Sequence, residues 1–156
     1  MDVVGLSKNG IENAVANLGT SLTDKQIFTL NQFFNDIIIC FDGDESGYKA
    51  ALRAAENSIK DMKPEKQISF LFLQDQEDPD SFVNKNGKEY FFDYSKQNKI
   101  SIHQFIFNHY KKNTQNNPSS MAIFEKKLRS IANTIKDNYI KKYVLEYFLE
   151  KIAELT

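Results

Sequence analysis

A chain of 156 residues, 41% of them hydrophobic, is long enough for one buried core with a small satellite and too short for two full domains. Its longest apolar runs, such as Ile37 to Phe41, span five or six residues, far below the roughly 20 that cross a bilayer, and no basic segment precedes a long apolar one at the N-terminus, so no membrane contact and a cytoplasmic location are expected. The formal net charge of −1 hides an asymmetry: residues 1–100 hold 16 acids against 11 bases, residues 101–156 hold 5 against 9, and an acidic front disfavours direct phosphate binding there unless a cation reverses the local sign.

In chain order, Asp2 to Lys8 reads as a helix closed by Asn9-Gly10, and Ala14 to Leu18 as a short buried strand leading into Gly19-Thr20-Ser21. Thr23 with Gln26 forms a capping-box pattern for a helix carrying Ile27, Leu30, Phe33 and Phe34 on one face. A strand follows at Asp36 to Phe41, and Cys40 within it, the single cysteine, reads as a small buried thiol. After a polar turn from Asp42 to Gly47, Tyr48, Ala51, Leu52, Ala55, Ile59 and Met62 recur at helical spacing until Lys63-Pro64.

Ile68 to Leu73 is the next strand, and the segment beyond Gly87 turns helical: Tyr90 to Tyr94, then Ile102 to Tyr110, then a polar linker from Lys111 to Ser120. Met121, Phe124, Leu128, Ile131 and Ile135 make one stripe, and Ile140, Val144, Tyr147, Phe148, Ile152 and Leu155 a second, as in a helical hairpin. Strands alternating with amphipathic helices imply a parallel α/β sheet flanked by helices, with an α-helical segment appended. No strand is expected beyond Leu73.

In open parallel sheets, ligands sit outside the carboxyl ends of the strands. Two acidic groups fall there, Asp42-Gly43-Asp44 after the first strand and Glu77-Asp78-Pro79-Asp80 soon after the second. Four acids among the six residues from Asp75 to Asp80, set beside another pair, repel one another unless some protonate or a cation binds. Carboxylates are the ligands that Mg²⁺ prefers, usually one or two of them completed by water and phosphate oxygens. Gly43 would let the backbone turn between Asp42 and Asp44, and Pro79 would stiffen the second loop. An EF-hand is excluded, because the segment follows a strand and its twelfth position is Arg53 instead of Glu. A phosphatase of the haloacid-dehalogenase type, with Asp42 as nucleophile and Asp44 as its acid/base partner, is an alternative, although Gly19-Thr20 precedes the Asp-x-Asp where that family's Thr/Ser motif follows it.

Taken together, these residues resemble the Toprim domain of bacterial replicative DNA primases. Met1-Asp2-Val3-Val4 is similar to the end of that family's Glu-Gly-Tyr-Met-Asp-Val motif, Leu18-Gly19-Thr20 to its Leu-Gly-Thr turn, and Asp42-Gly43-Asp44-Glu45-Ser46-Gly47 to its Asp-Gly-Asp-x-Ala-Gly segment with Ser46 in the alanine place. Glu77-Asp78-Pro79-Asp80 with Ser81-Phe82-Val83 resembles the loop of the primase branch of the fold. The resemblance implies a Toprim domain over residues 1–100, partial and lacking its first strand, and the helical subdomain of the primase polymerase core over residues 101–156. It implies that Asp2, Asp42, Asp44, Asp78 and Asp80 bind Mg²⁺ or Mn²⁺, with Asp42 and Asp44 catalytic, no other cofactor, and Glu77 supporting the loop.

The implied reaction joins ribonucleoside triphosphates into short RNA primers on a single-stranded DNA template, with a replicative helicase engaged through a region absent from the chain. The family's catalytic Glu falls ahead of the position of Met1, so the chain is expected to be an N-terminally truncated fragment that is inactive alone; a noncatalytic Toprim-derived scaffold is a third reading. His103 and His109 read as surface or packing residues, the bases Lys111, Lys112, Lys126, Lys127, Arg129, Lys141 and Lys142 as a solvated helical face with template contact the less common case, and Tyr139, Tyr143, Tyr147 and Phe148 as helix-packing aromatics with base stacking a distant second.

Overall fold

The computed structural model describes residues 2–16, 22–74 and 77–156, Asp2 by its backbone only. Helix α1 spans Asp2–Lys8 and stops where Gly10 adopts φ +84, a left-handed conformation that glycine reaches without a Cβ clash. No strand follows in residues 14–16, and Val15 is 79% exposed. A short apolar run becomes a strand only where a neighbour accepts its backbone groups, and no described strand lies alongside it. The rest of that expected strand and the Gly19-Thr20 turn lie outside the described residues.

Helix α2, Asp24–Phe33, begins on the expected capping box: Thr23 Oγ1 accepts from Gln26 N at 3.2 Å, and Gln26 Oε1 accepts from Thr23 N at 2.9 Å. Ile27 is buried, but Phe33 (74% exposed) and Phe34, at the end of the helix, face outward. Strand β1, Asp36–Phe41, pairs in parallel with β2, Gln67–Phe72, in the register Asp36 to Gln67 through Phe41 to Phe72. The connection runs through α3, Glu45–Ser58, and one 3-10 turn at Ile59–Asp61.

The acidic loops are shorter than the sequence implies. Glu45 to Gly47 already belong to α3, and Pro79 opens helix α4, Pro79–Asn86, which the sequence reading missed by taking Pro79 as a loop stiffener. Proline is favoured in the first turn, where its missing N–H has no intrahelical acceptor. Helix α5, Lys88–Asn98, leads to a two-residue strand β3, Ile100–Ser101, which pairs antiparallel with β2 and makes the sheet order β1-β2-β3. Two residues of pairing leave no periodicity to read, so this strand was not foreseen.

Alternation along β2 sends Ile68 and Phe70 into one cluster and Leu71 and Leu73 into another. The first face is covered by α3 and by α6, Ile102–Lys112, the second by α4 and α5 through Phe82 and Tyr94. Both faces of the sheet are therefore buried, as the apolar runs require. Helices α7, Pro118–Asn133, and α8, Asn138–Ala153, pack on each other and contribute Phe124, Leu128, Val144 and Phe148 to the cluster that also holds Phe41 and Phe70. Val144, Phe148 and Ile152 form the buried stripe of α8. Tyr139 and Tyr143, one position round the helix from that stripe, are exposed and are not the packing residues their spacing implied.

Candidate metal centre

Because β1 and β2 run parallel and end in register at Phe41 and Phe72, the residues that follow them emerge at one edge of the sheet. Leu73 N donates to Phe41 O at 3.4 Å and carries the pairing one residue further, so Asp42 leaves β1 beside the end of β2. Glu77 N donates to Gln74 O at 3.0 Å, and Asp78 follows at once. The two acidic groups thus rise from neighbouring strands at the same rim.

Each group is built on a helix start. Asp44 caps α3: its Oδ1 accepts from Gly47 N at 2.7 Å. Asp78 caps α4 in the same way, with Oδ1 accepting from Ser81 N at 2.7 Å. A cap of this kind satisfies one of the donors left over at a helix start, and the positive end of the helix dipole favours the carboxylate's charge. The cap engages one oxygen of each carboxylate, and a carboxylate has two.

Gly47 sits where α3 passes over the loop. A Cβ there would lie 2.2 Å from the carbonyl oxygen of Asp42, so the glycine, more than the Gly43 that the sequence pointed to, lets the helix close on the Asp42–Asp44 turn. Asp80, in the first turn of α4, faces α1. Its Oδ1 accepts from Asn84 Nδ2 at 2.9 Å, while Asn9 Nδ2 donates to Asn84 Oδ1 at 2.9 Å and to Gly5 O at 2.9 Å. A Cβ on Gly5 would fall 1.6 Å from Asp80 Oδ1. This contact holds α1, whose first residue is Asp2, against the helix that carries Asp78 and Asp80.

The side chain of Asp2, like Asp75, lies outside the described residues. Among the described residues no three of His, Cys, Asp or Glu converge tightly enough to enclose an ion by themselves. Mg²⁺ is usually held by one or two carboxylates and completes its octahedron with water and phosphate oxygens. Glu77 accepts an ion pair from Lys85 Nζ at 3.1 Å and is oriented by it.

Neither histidine belongs to the rim. His103 packs edge-on against Tyr147, and burial lowers its pKa, keeping it neutral. His109 Nδ1 lies 2.9 Å from Tyr48 Oη.

Capping and metal binding are separable by substitution. Asp44→Ala should cost about 1 kcal/mol of stability through loss of the cap. Asp44→Asn, which caps nearly as well, should leave thermal stability unchanged while weakening Mn²⁺ binding in a titration. Equal metal affinity in Asp44→Asn and the parent chain would remove Asp44 from the ligand set.

Residues 1–72 match the Toprim domain family. A DNA primase of Pasteurella multocida is 44% identical over 107 residues, 69% of this chain and 18% of the relative. Among solved structures, the Escherichia coli primase catalytic core superposes with a TM-score of 0.90 at 34% identity, covering 97% of this chain and 48% of that one. The structure of a DnaG primase catalytic domain bound to single-stranded DNA superposes with a TM-score of 0.89 at 33% identity, over 96% and 48% of the two chains. The chain therefore spans about a fifth of the curated relative and about half of the solved cores. The described helices include none long and apolar enough to cross a membrane.

Proposed function

Since the chain belongs with the catalytic core of bacterial DNA primases and carries their Toprim fold, we propose that it supplies the metal-binding part of a primer-synthesising nucleotidyltransferase. Residues 1–100 act as the Toprim unit and residues 101–156 as the helical subdomain behind it. The substrates are ribonucleoside triphosphates and a single-stranded DNA template, in the cytoplasm. The observation that carries this reading is the pair of acidic groups at the carboxyl ends of two in-register parallel strands. The dehalogenase-type phosphatase finds no support among the relatives, which are primases.

In this reading Asp42, Asp44, Asp78 and Asp80, with Asp2 from α1, hold Mg²⁺ or Mn²⁺, and Asp42 and Asp44 lie nearest the reacting groups. The bound ion would lower the pKa of an attacking 3′-hydroxyl and offset charge on the departing pyrophosphate. The chain's own contribution is placement. The caps of α3 and α4 hold two carboxylates at the rim, and Gly47 fixes the turn between strand and helix. The Asn9–Asn84–Asp80 bonds fix α1, and the ion pair to Lys85 restrains Glu77. Rigid placement lets the site meet phosphate without reorganising during reaction.

A chimaera tests this directly. Residues 1–156 exchanged into the matching part of the E. coli primase core should support Mg²⁺- or Mn²⁺-dependent primer synthesis. Asp42→Ala in that chimaera should lower the rate by about 100-fold or more. A folded chimaera that makes no primer, or one in which Asp42→Ala is fully active, would overturn the assignment.

A further inference from the structure

Beside the acidic rim, on the face of the sheet covered by α3 and α6, lies a hollow of about 480 Å³ lined by Tyr48, Phe72, Ile100, Phe105, Asn108, Lys111 and Lys112. Its position is set by the same elements that build the rim. Phe72 is the last residue of β2, and Tyr48 is one helical turn beyond Asp44, to whose carbonyl its N–H donates at 3.1 Å. Three rings make one wall: Tyr48 and Phe105 have centroids 5.2 Å apart, Phe72 and Phe105 stack at 5.6 Å, and Tyr48 and Phe72 lie 6.1 Å apart. The Tyr48 hydroxyl is held by His109, which fixes the ring at the mouth.

The rim of the hollow is cationic. Lys112 Nζ lies 5.0 Å from the Tyr48 ring centre, Lys111 precedes it, and both are exposed, as is the amide of Asn108 one turn earlier. These bases belong to the mildly basic back of the sequence. A purely apolar occupant would leave the two ammonium groups and the amide unused, and an inorganic anion would leave the rings unused. A flat aromatic ring joined to a phosphate uses all three.

We propose that this hollow binds one nucleotide unit, its base against Tyr48 and Phe72, its base edge within reach of the Asn108 amide, and its 5′-phosphate on Lys111 and Lys112. The proposal rests on the nucleotidyltransferase reading above and deepens it by assigning a base-holding subsite outside the acidic cluster. The unit can come from a free ribonucleoside triphosphate or from a single strand lying along the rim.

The test uses the intact chain without divalent metal, so that the acidic loops cannot recruit phosphate through an ion. ATP and an oligo-dT 12-mer are titrated separately, with amide and methyl NMR shifts as the readout. Shifts at Tyr48, Ile100, Asn108 and Lys112 support the subsite; with ATP alone they identify a free-nucleotide subsite, and with the oligomer alone a strand subsite. Lys111→Ala/Lys112→Ala, which removes only exposed groups, should weaken binding about tenfold and reduce the salt slope for the oligomer by about 0.7, the share of one phosphate on a single strand. Tyr48→Leu, which keeps an apolar side chain in place, should weaken binding about tenfold through loss of stacking. Shifts confined to other surfaces, no binding of either probe, or unchanged affinity and slope in the double lysine variant would overturn the subsite. Mn²⁺ binding by the parent chain, measured separately, reports on the acidic centre, so failure of the subsite and failure of the nucleotidyltransferase reading are told apart.

Discussion

Gly47→Ala should destabilise the chain by about 2 kcal/mol, lowering the melting temperature by about 4–8 °C, and should weaken Mn²⁺ binding by tenfold or more. Helix propensity alone forecasts the opposite sign, since alanine inside a helix is favoured over glycine by about 1 kcal/mol. The added Cβ, however, would lie 2.2 Å from Asp42 O and 3.1 Å from its carbonyl carbon. Those are backbone atoms and cannot rotate aside, so either α3 lifts or the Asp42–Asp44 turn moves. Both responses separate the carboxylates from the rim, which is why metal affinity should fall with stability. Gly87→Ala is the control: at φ +87 and ψ 167, backbone angles that are nearly reserved to glycine, it carries a conformational cost of about 1–3 kcal/mol, yet a Cβ there meets nothing within 4 Å, so metal binding should not change. A Gly47→Ala chain more stable than its parent, by calorimetry, would disprove the close approach.

Phe70→Ala should be still more damaging to the fold, costing about 3–5 kcal/mol. Phe70 is 0% exposed, lies on the central strand, and meets Phe41 edge-on at 5.2 Å and Phe105 at 5.4 Å. Truncation opens a cavity between sheet and helix that the rigid strand cannot collapse into. Against a total stability of about 5–15 kcal/mol, such a loss should leave a substantial unfolded population at moderate denaturant. Ile38→Ala on the neighbouring strand, where the side chain is 43% exposed, should cost about 1 kcal/mol or less in the same urea titration. Similar midpoints for the two variants would mean that the apolar centre lies elsewhere.

The elements that sequence made legible are those whose pattern is local. Thr23 and Gln26 form the capping box in both directions, β1 occupies the residues its apolar run marks, and the two acidic groups stand at strand ends as topology requires. What escaped reading depends on partners distant in the chain. Ile100 and Ser101 become a strand only because Phe70 and Ser69 offer their backbone, and residues 14–16, with no described strand beside them, do not. Phe33, Phe34, Tyr139 and Tyr143 are apolar enough to suggest burial, and only the orientation of their helices sets them outside.

At the candidate site the residue types were legible and their second role was not. Asp44 and Asp78 read as ligands, and the structure adds that they start helices. The signal was present: Asp78-Pro79 is a helix-start pair, and a polar residue three before a backbone N–H is how such starts are written. The Gly5–Asp80 approach, the Asn9–Asn84 bond and the aromatic hollow join residues from separate segments, and nothing in spacing foretells them.

The cluster that runs from Ile27 through Phe70 to Phe148 and Ile152 ignores the line between sheet and terminal helices. Such continuity means that residues before and after position 100 share one interior, which neither set closes by itself. Slackening of α8, far along the chain from any aspartate of the rim, would be felt at that rim as lost rigidity, so the terminal helices serve as ballast for the sheet edge.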